Sequence, residues 1–363
     1  MKILISPNAF KGTLTALEAG KILASELKHK YPQSKIEIHP IADGGDGTCE
    51  LLGYSLKLSS RQIWSLDIKG KPKIGTYFYD GSKAYIDVSN VSGIGYLNPD
   101  ELEIRVSSTF GTGLLIKHAI ENGASEIILG LGGSATVDLG IGILQALGLL
   151  FLDENGRELT PFSYDMLFKI KHIQKPINFP KIDFTCVCDV RNKFGGDEGA
   201  IPVFGPQKGL KSVDFPEFEA QTHFLLDLLY KKNNLTFVDK QGFGAAGGIA
   251  AGLSAFFKTK IEIGSSYFFK KTGLKEKLVT SDLIITGEGK YDNQSESGKA
   301  CFEILQMAKQ NEKIIFLITS GEGLSKHGFD KVFYLPKLNF LLDDFKEKAK
   351  KNLKELSSQI ELK

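Results

Sequence analysis

The sequence predicts an α/β protein of two lobes. One is an open parallel-sheet lobe, flavodoxin-like or Rossmann-like, built from both termini (1–50 plus 240–363); the other is a mixed α/β lobe inserted between them (51–239). Three observations predict this. The chain opens as strand, helix, strand and polar loop, the first unit of an open parallel sheet. From about 56 to 88 it changes to alternating, aromatic-rich strands with few helical stretches, which suits a different and partly antiparallel sheet. The last third then returns to the opening style, and 363 residues exceed what one core usually supports.

In order, residues 2–6 read as a buried strand, followed by a glycine turn and a helix over about 15–30. Thr15 and Glu18 have the spacing of a capping box at its start. Residues 36–41 form a second strand that ends at a carboxylate-bearing glycine loop, and ligands of open sheets sit at such carboxyl ends. A helix over 111–122, a strand over 126–130 and a helix over about 138–147 follow. Residues 183–189 make a strand ending on Asp189, with helices near 217–232 and 244–257. The closing part reads as strand 283–286, helix 298–309, strands 313–319 and 331–335, and a long charged C-terminal helix. No repeat, heptad or low-complexity segment interrupts it.

Composition narrows the function classes. Hydrophobic residues at 42% and charged residues at 24% are ordinary for a folded domain. Lys plus Arg of 45 against Asp plus Glu of 43 leaves no basic field for nucleic acid. Residues 1–7 are too short an apolar run for a signal peptide, and the longest apolar stretches are strand-sized. A cytoplasmic protein with no membrane partner is therefore expected. Cys186 and Cys188 fall on one face of a strand, and no second pair stands at zinc spacing, so buried free thiols are expected. The 39 glycines cluster rather than scatter, which directs attention to a few loops.

The sharpest loop is Gly130-Leu131-Gly132-Gly133-Ser134-Ala135-Thr136-Val137-Asp138. Glycines let a backbone approach an anion closely, and successive N–H groups can cradle phosphate oxygens, helped by a following helix start. Ser134 and Thr136 can donate to phosphate or cap the helix, and Asp138 can serve a metal; a tight turn without ligand is the alternative. In Ala42-Asp43-Gly44-Gly45-Asp46-Gly47 two carboxylates can point one way, as a Mg²⁺ site or a hydroxyl-activating base requires, or Asp46 can simply open a helix. In Thr286-Gly287-Glu288-Gly289-Lys290-Tyr291-Asp292 a buried strand delivers Glu288 and Asp292, and Lys299 sits at the next helix start, opposing the dipole unless an anion lies nearby. Asp189, at a strand tip, suits a general base or metal ligand, and Lys208 in Phe204-Gly205-Pro206-Gln207-Lys208-Gly209 suits a clamp on carboxylate or phosphate. The run Gly242-Phe243-Gly244-Ala245-Ala246-Gly247-Gly248 reads as close backbone packing. No Walker loop, dinucleotide fingerprint, protein-kinase motif or H-E-x-x-H is present. From residues alone the chain is an α/β enzyme acting on an anionic ligand, phosphate foremost.

Taken together, these loops resemble the glycerate kinase family of bacterial type. Pro7-Asn8-Ala9-Phe10-Lys11-Gly12-Thr13-Leu14 is similar to that family's P-D-S-F-K-G-S-L, and the loops at 42–48, 132–138, 204–209 and 286–299 are similar to its remaining glycine motifs in the same order. Asn8 and Ala9 stand where the family has Asp-Ser, Val137 replaces an Asn and Leu139 a Gly. The resemblance implies two α/β lobes with a cleft between them, ATP and Mg²⁺, and 2-phosphoglycerate as product. It also implies Lys11, Asp43, Ser134, Asp189, Lys208, Glu288 and Asp292 as site candidates.

The roles expected from chemistry are as follows. Gly132, Gly133, Ser134 and Thr136 hold nucleotide phosphates. Asp189, Asp43 and Lys11 are catalytic, while Lys208, Gln207 and Lys299 bind substrate. Asp138, Glu288 and Asp292 are candidate metal ligands. Transfer to the 3-hydroxyl, a related hydroxy acid, and a non-catalytic nucleotide or metabolite sensor on the same fold remain as alternatives. The expected partners are ATP and glycerate, with a homodimer allowed.

Overall fold

The structure is a computed structural model that describes residues 1–95, 97–98, 101–291, 299–320 and 328–362. Its strands are β1 (Lys2–Pro7), β2 (Lys35–Ile38), β3 (Ser59–Leu66), β4 (Pro72–Tyr79), β5 (Lys83–Asp87), β6 (Glu126–Gly130), β7 (Leu150–Leu152), β8 (His172–Gln174), β9 (Asp183–Cys188), β10 (Lys258–Ile263), β11 (Leu283–Glu288), β12 (Ile314–Thr319) and β13 (Lys331–Tyr334). The chain divides into two compact units: Met1–Asp43 with Gly264–Lys363, hereafter the terminal unit, and Gly44–Ile263, the central unit.

The terminal unit holds a parallel sheet in the order β13-β12-β11-β1-β2. Ile3, Leu4 and Ile5 of β1, an inner strand, are wholly buried, as expected of a parallel strand covered on both faces. The helix Ala16–Lys30 starts on the predicted box: Glu18 N–H donates to Thr15 Oγ1 at 3.2 Å, and Thr15 N–H donates to the Glu18 carboxylate at 2.9 Å. Its Leu23 and Leu27 share a core with Ile3, Ile285 and, from the C-terminal helix Phe345–Gln359, Ala349 and Leu353. The second strand is shorter than predicted. Beyond its end, residues 39–41 still follow β1, with His39 N–H on the Ile5 carbonyl and Ile41 N–H on that of Pro7. Two helices not among the predicted elements, Gly264–Thr272 and Leu274–Val279, lead back into β11.

The central unit holds a mixed sheet in the order β10-β9-β6-β5-β4-β3. The aromatic-rich stretch supplies its antiparallel part, β3 with β4 and β4 with β5, while β5, β6, β9 and β10 run parallel. A separate core of this unit packs Ile127, Leu129, Leu139, Phe184, Cys186 and Ile249. The helix expected over 138–147 is only Ile141–Ala146, because the chain first turns through Leu139 and Gly140, both left-handed (φ 55° and 71°). The helix expected over 244–257 is broken into a 3₁₀ turn, Ala245–Gly248, and a short helix, Ile249–Leu253. A Cβ on Gly247 would stand 2.2 Å from the Thr136 carbonyl oxygen, so this glycine run is close packing beneath the 132–138 loop. All four cysteines are free and buried.

Candidate functional site

In the central unit, three loops predicted at strand ends meet beyond the carboxyl ends of β6 and β9. A Cβ on Gly132 would lie 2.1 Å from the Gly45 carbonyl carbon and 2.4 Å from Asp46 N, so backbone touches backbone there. Gly44 is left-handed (φ +97°) and equally tight against β9, 2.4 Å from the Cys188 carbonyl carbon and 2.9 Å from Asp189 N. The loops at 44–47, 132–136 and 188–189 thus form one cluster, and only glycine permits both approaches.

The 132–136 loop is anchored from the side and beneath. Ala135 N–H donates to the Ser92 carbonyl and Ile94 N–H to that of Gly133. The N–H groups of Gly132, Gly133 and Ser134 have no intramolecular acceptor among the described residues. Lys208 lies under the loop, 3% exposed, and its ammonium donates to Ser134 Oγ at 2.9 Å and to the Thr136 carbonyl at 2.9 Å. The Phe204-Gly205-Pro206-Gln207-Lys208-Gly209 motif builds this support: Pro206–Lys208 is a 3₁₀ turn closed by left-handed Gly209. Burial pushes the Lys208 ammonium down to about 7, against the opposing pull of the Asp138 carboxylate. Because Ser134 Oγ already accepts from Lys208, its own O–H is left to donate elsewhere. Thr136 Oγ1 is buried and has no partner among the described residues.

Asp138 has a different place from the one its sequence suggests. It is buried, and its oxygens accept Thr109 N–H at 2.8 Å, Thr109 Oγ1–H at 2.7 Å, Gly140 N–H at 3.1 Å and Gly142 N–H at 3.2 Å. Burial raises its pKa and these bonds oppose the rise. The carboxylate ties the turn before Ile141–Ala146 to the start of the helix Phe110–Glu121, with three donors on Oδ2 and one on Oδ1. Asp189 is half-buried at the end of β9, and Gln207 is exposed beside the Lys208 turn.

Asp87, which sequence reasoning missed, closes β5 in the same unit. Its oxygens accept Cys49 N–H at 3.0 Å and Glu50 N–H at 2.8 Å, capping the helix Thr48–Ser55 that follows the 44–47 loop. Full burial pushes it up to about 7, the two amides pull it down, and Asp46 and Glu50 add to the rise. Its only sequence signal was a carboxylate at a strand tip.

In the terminal unit, Lys11, Asp43, Glu288 and Lys299 line one cavity of about 400 Å³, together with Asn8 and Lys290. Asp43 and Glu288 are buried (5% and 6% exposed), and Asn8 Nδ2–H donates to Asp43 Oδ2 at 3.0 Å. Asn8 Oδ1 in turn accepts Ala9 N–H at 2.8 Å, which fixes the amide's orientation. Lys299 is the extended residue before the helix Ala300–Gln310. Asp292 lies outside the described residues. Among the described residues no group of three or more His, Cys, Asp and Glu side chains is arranged around a metal position, and no helix is long and apolar enough to cross a membrane.

A sequence model of the glycerate kinase family matches residues 3–362. Glycerate 2-kinase of Escherichia coli (strain K12) is 33% identical over 344 residues, which are 92% of this chain and 90% of that protein. The glycerate kinase of Halalkalibacterium halodurans is 30% identical over 372 residues, covering 99% and 97%. Among solved structures, a protein provisionally assigned as glycerate kinase 2 from Salmonella typhimurium LT2 matches with a TM-score of 0.81 at 30% identity, covering 99% of this chain and 96% of that one.

Proposed function

The chain belongs to the glycerate kinase family, and from that premise we propose that it transfers the γ-phosphoryl group of ATP to the 2-hydroxyl of D-glycerate, giving 2-phosphoglycerate and ADP. The observation that carries the site assignment is the set of three backbone N–H groups at Gly132, Gly133 and Ser134 that have no acceptor among the described residues. Such a row, braced by a buried ammonium, is an oxyanion receptor. Sequence reasoning gave this loop to nucleotide phosphates. Its contact with the 44–47 loop, which in turn abuts the Asp189 strand tip, favours the carboxylate of the acid instead, because the acceptor hydroxyl must lie within reach of the base.

In this reading Lys208 is a positioning residue. It fixes Ser134 and the Thr136 carbonyl and adds positive charge beneath the bound carboxylate. Asp189 accepts the 2-hydroxyl proton as that oxygen bonds to the γ-phosphorus and the bond to the β,γ-bridging oxygen breaks. Lys11 and Lys299 neutralise phosphate oxygens, the main demand of phosphoryl transfer. Asp43 and Glu288 suit the Mg²⁺ that accompanies ATP. They are two hard oxygen donors on one cavity, and this ion is usually held by one or two carboxylates with phosphates and waters completing its shell. When bound, the ion supplies charge neutralisation on the nucleotide phosphates. Asp138, buried in the central unit with four donors already on its carboxylate, is left out of that set.

Coupled ADP release with D-glycerate, L-glycerate and related hydroxy acids tests the reaction, and proton-coupled phosphorus NMR tests the product. A phosphorus split to a doublet by the single C2 proton is expected; a triplet means attack by the 3-hydroxyl. Gly132→Ala is expected to abolish turnover with the fold retained by circular dichroism, since the added methyl drives the 132–136 loop off the 44–47 loop. Normal activity in that variant removes the contact from the site.

A further inference from the structure

The cavity of the terminal unit is larger than a three-carbon acid needs and mixed in character. At about 400 Å³ it falls in the size range of small-molecule and cofactor pockets. Its ammonium groups, Lys11, Lys290 and Lys299, come from the loops after β1 and β11 and from a helix start. Of its apolar members, Leu335, Leu338 and Phe340 come from the segment after β13. Phe340 is 59% exposed. Its ring is held against Phe345 with centroids 5.5 Å apart, and its edge sits 3.8 Å from where a Gly12 Cβ would be. A large aromatic side chain on a cavity wall, supported from one side and mostly in water, has a face to offer a flat partner.

Glycerate has no apolar surface to set against Leu335, Leu338 and Phe340. ATP has the same division as the cavity: a flat purine at one end, three anionic phosphates at the other. Resting on the kinase reading above, we propose that this cavity is the nucleotide seat, with the purine stacked on Phe340 and packed by Leu335 and Leu338, and the phosphates facing Lys11, Lys290 and Lys299. Stacking on an aromatic ring discriminates poorly among bases, so the seat accepts GTP as well as ATP, with affinity set mainly by the phosphate end.

The test uses the full chain and ADP as probe. Phe340→Ala is expected to weaken ADP binding by calorimetry, and to raise KM for ATP, about tenfold, while KM for glycerate stays within about twofold. Phe340→Trp is expected to restore affinity. Made in a Trp64→Phe background, since Trp64 is the chain's single tryptophan, it should lose emission on adding ADP and not on adding glycerate. Unchanged ADP affinity in Phe340→Ala, or a rise in the glycerate KM in its place, overturns the seat while the wild-type chain still makes phosphoglycerate. Conversely, ADP binding that depends on Phe340 in a chain that phosphorylates no hydroxy acid upholds the seat and overturns the kinase reading.

Discussion

Asp189→Asn is expected to lower kcat by about a hundredfold or more, with KM for both substrates nearly unchanged. Asparagine keeps the size and hydrogen-bonding shape of the side chain at the end of β9 but cannot take a proton from the acceptor hydroxyl. The half-buried position follows directly on the buried run Phe184 to Cys188. A base role predicts a second signature, loss of the acid limb in the pH profile of kcat/KM. Near-normal turnover would pass the role to Asp43, the other carboxylate weighed for it.

The second large effect is expected from Lys208→Met, which keeps the length of the side chain and removes its charge and both hydrogen bonds. Loss of about 10²–10³ in kcat/KM is expected, as when an oxyanion donor is deleted, with the thermal midpoint close to wild type, because burying an ammonium carries its own desolvation cost. The pH dependence follows from burial, which pushes Lys208 down to about 7. The ammonium is present below that value and lost above it, so kcat/KM falls as pH rises past about 7 in the wild type, and the methionine variant lacks this limb. Stability has the opposite slope. Between about 7 and the ordinary lysine value of 10.5 the unfolded chain keeps a proton the native chain has released, so stability rises with pH there. Asp87 contributes the reverse. From its ordinary 3.8 up to about 7 the native carboxyl keeps a proton the unfolded one has lost, and stability falls as pH rises. Together the two groups give a shallow minimum near neutrality, which urea midpoints across pH would reveal; Asp87→Asn should flatten its acid side.

What the sequence made legible was local. The β6 strand, the Thr15–Glu18 box and the glycine loops at 44–47 and 132–136 rest on patterns spanning a few residues, and each is found where those patterns put it. The partners of the chemical groups were not legible, because they come from afar. Asp138 reads as a carboxylate behind a glycine loop, yet Thr109, 29 residues upstream, takes up its Oδ2. Lys208 reads as a clamp on a carboxylate or phosphate, yet the 3₁₀ turn folds it beneath Ser134, 74 residues away. Asp87 matters only because the helix at Thr48 docks its first amides on it, across 38 residues. Phe340 sits in a strandless stretch with no periodicity between β13 and the C-terminal helix, and its neighbour Gly12 belongs to the opposite end of the chain.

The strand order of the terminal unit bears on how the polypeptide is made. β1 leaves the ribosome long before β11, yet it is an inner strand whose β11 edge pairs Ile3 with Leu283, and Thr286 Oγ1 reaches the Ser6 carbonyl across 280 residues. Gly44–Ile263, by contrast, is one uninterrupted stretch and can complete its core while synthesis continues. Until β11 is made, the edge of β1 that carries Ile3, Leu4 and Ile5 lacks its partner strand, and closing so long a loop is slow.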